Sequence, residues 1–135
     1  MINIFNTPAS KIVKQTEFLL REQINSTRDS EEWHKNMANE YVLGYIFMFS
    51  LVLIKSKLKD EKKSALGVSK VFDKLFRIRK KNGNVIRIMW LTKKYANSKI
   101  FQEGSEKARL ELVEWINNNG TRPNGLAKFL NKKSK

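Results

Sequence analysis

Cysteine is absent from the 135 residues of this chain, and histidine occurs once, at His34. Without thiols there is no disulfide, thiolate nucleophile or thiolate metal site, and one imidazole cannot supply a site that needs several. The expectation is therefore no metal and no cofactor. A Ser-His-acid triad would have to use His34, which follows Trp33 in a Glu-rich stretch and reads as a surface or partly packed side chain. Neither GxxxxGKS/T nor GxGxxG occurs, so the glycine-rich phosphate cradles are missing too. The acidic pairs Glu31-Glu32 and Asp60-Glu61 stand where helix starts explain them, because carboxylates near a helix N-terminus are stabilised by its dipole. Enzymatic activity is not expected.

No apolar run reaches the length of a membrane span. The longest, Tyr41 to Ile54, is interrupted only by Gly44 and Ser50. At 1.5 Å rise per residue it covers roughly 21 Å, short of the ~30 Å of hydrocarbon a spanning helix must cross. A helix that is apolar all round is buried on all sides, so this stretch is expected to be the central core helix. The N-terminus MINIFNTPASK lacks a basic region followed by a long apolar run, which is not a secretory pattern. With no cysteine, the expected location is the cytoplasm.

Negative charge is scarce: thirteen Asp and Glu face twenty-seven Lys and Arg, for a net charge of +14. The excess is uneven. Residues 1–54 hold five cations against six anions, net −1, whereas residues 55–99 hold fifteen against three, net +12. Residues 100–119 hold two against four, net −2, and residues 120–135 hold five against none, net +5. Such asymmetry points to a polyanionic partner. Lys outnumbers Arg twenty to seven. An AT-rich coding bias inflates Lys with no selection for binding, whereas readers of base edges favour the planar fork of Arg.

Thr7-Pro8 is a helix start, and Ile12, Val13, Thr16, Leu19, Leu20 and Ile24 recur at helical spacing, so a helix is expected over roughly 8–25. Asp29 with Glu32 reads as a capping box for a second helix running through the apolar centre to about Leu58, with a kink near Gly44. Gly44 also admits a close helix neighbour. Asp60-Glu61 caps a third helix to about Lys81, with Ala65, Val68, Phe72, Leu75 and Phe76 on one side. Asn82-Gly83 is the clearest break, followed by a helix over about 84–97. From Ser98 to Asn117 a stripe of Phe101, Gly104, Ala108, Leu112 and Trp115 marks another helix, its small residues suited to tight packing. A turn at 121–125 precedes a short helix carrying Leu126, Phe129 and Leu130.

These elements predict an all-α, single-domain fold over residues 1–131, with five to six helices packed in an orthogonal or bundle-like way around the central apolar helix. Residues 132–135 are expected to be a disordered basic tail. The alternative is an α+β fold with a small hairpin over 76–90, where Asn82-Gly83 would form the turn.

The candidate nucleic-acid-binding residues are Lys63, Lys70, Lys74, Arg77 and Lys81. They fall within an arc of roughly 60° on the third helix at 100° per residue, and Gly67 lies in the same arc. Five aligned cations suit a phosphate backbone or an acidic partner helix; the plainer reading is the solvated face of an amphipathic helix. The first functional expectation is a small basic non-enzymatic binding protein that contacts a polyanion, nucleic acid above all, through backbone phosphates. The second is a helical protein-interaction module that docks an acidic partner or self-associates. Phe72, Phe76, Trp90 and Tyr95 neighbour the basic block, but the first two belong to the apolar face.

Overall fold

The computed structural model describes residues 8–27, 31–36, 39–76, 92–118 and 120–133. Among them are six helices, α1 (Pro8–Asn25), α2 (Glu31–Asn36), α3 (Glu40–Lys57), α4 (Glu61–Phe76), α5 (Lys99–Asn118) and α6 (Gly125–Lys133), and no strand. A further helical turn at 92–94 leads into α5. The chain is an all-α bundle of helices packed together. The hairpin at 76–90 and the helix at 84–97 fall largely outside the described residues.

The apolar stretch is the hub. α3 packs against α1, α4 and α5, while α6 closes on α1, α2 and α5. Val42, Leu43, Tyr45, Ile46, Phe49 and Ile54 of α3 are fully buried, each large side chain contributing about 1.5–3 kcal/mol. Phe47, Met48, Leu51 and Val52 are partly buried against the same core. Among the described residues no helix is long and apolar enough to cross a membrane.

Helix starts follow local chemistry. α1 begins at Pro8, where a proline costs no hydrogen bond. Asp60 caps α4, its side-chain oxygen accepting from the Lys63 N–H at 3.0 Å. Ser98 does the same for α5, accepting from the Phe101 N–H at 3.3 Å and donating to Glu40 Oε2 at 2.8 Å. The expected long helix from residue 29 to 58 is instead two helices. Asn39 has extended backbone, φ −67° and ψ 138°, and its side chain accepts from the Tyr41 N–H; this cap starts α3 afresh. α3 then continues through Gly44 without interruption.

Gly44 and Gly104 explain how closely α3 and α5 approach. A Cβ on Gly44 would overlap the Phe101 carbonyl, and one on Gly104 would overlap the Tyr41 carbonyl. Ser105 donates from its hydroxyl to the Gly44 carbonyl at 3.1 Å. The two backbones meet directly, which places Ala108 and Leu112 in the core. At the far end α6 extends to Lys133, with Leu126 and Leu130 buried, and Phe129 stacks on Tyr41 at 4.6 Å between ring centroids.

Candidate functional site

The predicted cationic stripe runs along one edge of an open groove between α1 and α4. Lys63, Lys70 and Lys74 of α4 are exposed and line it. Lys14 of α1 faces them from the other side. Arg77 and Lys81 lie outside the described residues, so the structure brings together three of the five predicted positions and adds one from another helix. From Lys63 to Lys74 the stripe covers roughly 16 Å of helix, about five base-pair steps of duplex rise.

The floor of the groove is apolar. Val13, Leu58 and Leu66 line it, and Leu66 is 56% exposed. Gly67 lies buried at its base, where a Cβ would come 3.2 Å from two Ile54 side-chain carbons. Sequence spacing grouped Gly67 with the lysines and Ala65 with the apolar face; in the fold Gly67 is buried and Ala65 exposed. A glycine inside a lysine stripe marked the place where α1 and α3 come close. Lys14 was missed because its role depends on which helix packs beside α4, which local spacing does not encode.

Beside Lys74, α1 and α4 are tied together by ionic and backbone contacts. Arg21 Nη2 donates to the Lys74 carbonyl at 2.7 Å, satisfying a carbonyl in the last turn of α4 where positive charge also suits the helix dipole. Arg21 Nε donates to Glu17 Oε2 at 2.6 Å, and the Lys74 ammonium lies 4.0 Å from the other oxygen of Glu17. Lys74 is thus partly balanced by Glu17. Asp73 is the one carboxylate among the described residues that line the groove.

Three of the four aromatic neighbours, Phe72, Phe76 and Tyr95, pack in or against the core. Phe72 and Phe76 are buried, stacked on each other at 5.4 Å, and Phe76 also stacks on Trp33 at 5.3 Å. Tyr95 is half-buried with the Lys94 ammonium 5.6 Å from its ring centroid. Trp90 lies outside the described residues, as does the side chain of His34.

A second polar constellation, unforeseen from sequence, sits where α1, α3, α5 and α6 meet. Tyr45 donates its hydroxyl proton to Glu111 Oε1 at 2.5 Å and accepts from Gln23 Nε2 at 3.0 Å. Gln23 Oε1 accepts from the Leu126 and Ala127 N–H groups at 2.8 and 3.1 Å, and Glu111 Oε1 accepts from the Gly125 N–H at 3.1 Å. Burial, reinforced by the Glu111 carboxylate, pushes the Tyr45 hydroxyl well above its ordinary value of 10. Burial and the same carboxylate also raise Tyr41. A phenol held so firmly protonated is a fixed donor, and here it links Gln23 and Glu111, whose oxygens accept from the first N–H groups of α6. Among the described residues no three His, Cys, Asp or Glu side chains are grouped as metal ligands.

Comparisons with protein-family models, with curated proteins and with solved structures find no match for this chain.

Proposed function

We propose that this chain is a small non-enzymatic binding protein that holds a polyanion, a nucleic-acid backbone, in the groove between α1 and α4. The observation that supports this is the convergence of Lys14, Lys63, Lys70 and Lys74 from two helices on one open groove. Lysine ammoniums are compact point charges suited to phosphate oxygens, whereas base edges are read best by the arginine fork. Among the described residues no Arg lines this groove. The binding is therefore of the backbone type, insensitive to base sequence and sensitive to salt.

Fluorescence anisotropy with labelled single-stranded and duplex oligonucleotides tests it. On the duplex, four phosphate contacts give a slope of log affinity against log salt of about −3.6, so raising salt from about 50 to about 200 mM should weaken binding about 100-fold. The triple variant Lys63→Gln/Lys70→Gln/Lys74→Gln should flatten that slope by about 2.7. Affinity that ignores salt, or a triple variant that binds like the parent chain, removes this reading.

A further inference from the structure

A second groove, on the other side of α1, has a different character. It lies between the middle of α1, the last turn of α3 and the C-terminal end of α5. Ile12, Leu19, Leu53 and Trp115 form its floor, with Phe18 and Ile116 on its flanks. Phe18 is 59% exposed and Ile116 51%. Along α5, the exposed Val113 and Leu110 precede Ile116 at three-residue steps, continuing the apolar surface away from the groove. Large side chains left in water on two neighbouring helices mark a surface that gains free energy when covered.

The rim decides what covers it. Lys14, Lys57 and Arg122 edge the groove, and no Asp or Glu is among the described residues that line it. Arg122 faces Glu22 at 3.0 Å, both side chains exposed. A second copy of the chain would bring another +14 of net charge to this cationic rim, which opposes pairing. Nucleic acid would lay charged phosphate against Phe18 and Ile116. An occupant with an apolar stripe and acidic flanks satisfies both floor and rim. Ile12 to Leu19 spans about 10.5 Å of helix, the distance between the first and last anchors of an i, i+3/i+4, i+7 stripe.

We propose that this groove is a docking site for an acidic amphipathic helix of a partner protein, its apolar stripe seated between Phe18 and Ile116 and its carboxylates facing Lys14, Lys57 and Arg122. The site is independent of polyanion binding between α1 and α4, except that Lys14 borders both grooves.

Selection of a random library of displayed peptides, each about 14 residues or four helical turns, on the immobilised full chain tests the proposal. Enriched peptides should be acidic and carry apolar residues at three- and four-residue spacing. As labelled synthetic peptides they should bind about tenfold more weakly to Phe18→Ser and to Ile116→Ser, changes at exposed positions that leave the core intact. Lys57→Glu should weaken them similarly, while Lys63→Gln/Lys70→Gln/Lys74→Gln should retain binding within about twofold, separating this site from the lysine groove. Circular dichroism of each variant confirms that it is folded. Failure to enrich such peptides, equal binding of a scrambled peptide of the same composition, or binding unchanged in both Phe18→Ser and Ile116→Ser would overturn the proposal. Loss of oligonucleotide binding in Phe18→Ser would assign the groove to nucleic acid instead and overturn it equally.

Discussion

The Tyr45 hydroxyl is protonated at any ordinary pH because it is buried and its proton is held by the Glu111 carboxylate. In the unfolded chain the same phenol loses its proton near pH 10. The fold therefore retains a proton that the unfolded chain releases, and this contribution to stability is complete below about pH 10 and declines as pH rises above it, by about 1.4 kcal/mol per pH unit. Urea denaturation at about pH 9 and about pH 11 should show a steeper loss in the parent chain than in Tyr45→Phe. The variant itself should be about 1–3 kcal/mol less stable at neutral pH, since Gln23 loses an acceptor and Glu111 a donor inside the core. Ser50 presents the opposite case: its hydroxyl is buried in α3 without a hydrogen-bond partner. Ser50→Ala removes that unsatisfied group, improves helix propensity, and should stabilise the chain by about 1 kcal/mol in the same assay.

Between elements, α3 and α5 approach until their backbones meet, and this depends on having no side chain at two positions. Gly44→Ala and Gly104→Ala each drive a methyl group into a carbonyl of the facing helix. Backbone cannot swing aside as a side-chain tip can, so each should cost about 3 kcal/mol, the upper end for overpacking, measured as a lowered urea midpoint. Much of this layer was legible beforehand. Pro8, Asp60 and Ser98 announce helix starts by chemistry that acts within one turn, and the fully apolar Tyr41–Ile54 stretch leaves no face for solvent. Gly44, Gly104 and Ala108 signalled close packing by their size. Asn39 escaped because the polar residues before Glu40 fit a continuing helix as well as a cap, and the choice between them is made by hydrogen-bond geometry. Gly67 was assigned to the wet side because its neighbours on the wheel are lysines, although the missing side chain is what lets Ile54 and Val13 approach.

Taken whole, the molecule carries +14 on 15.8 kDa. Charge of one sign repels itself in the compact state, and salt screens it over about 10 Å at 0.1 M. The thermal midpoint should therefore rise as sodium chloride is added from low ionic strength, and a fall would mean that the surface ion pairs outweigh the repulsion. The candidate groove was only half visible in the sequence: spacing along α4 aligned Lys63, Lys70 and Lys74, but Lys14 joins them through a helix contact between residues some fifty positions apart. The Gln23–Glu111–Tyr45 cluster has still less local signature, since its members are separated by 22 and 66 residues. The amide of Gln23 must also wait for backbone donors 103 and 104 positions later. Closing so wide a loop is slow compared with winding any single helix, so the docking of α6 should come late in folding. Substitutions at Gln23 should speed unfolding while leaving the refolding rate almost untouched.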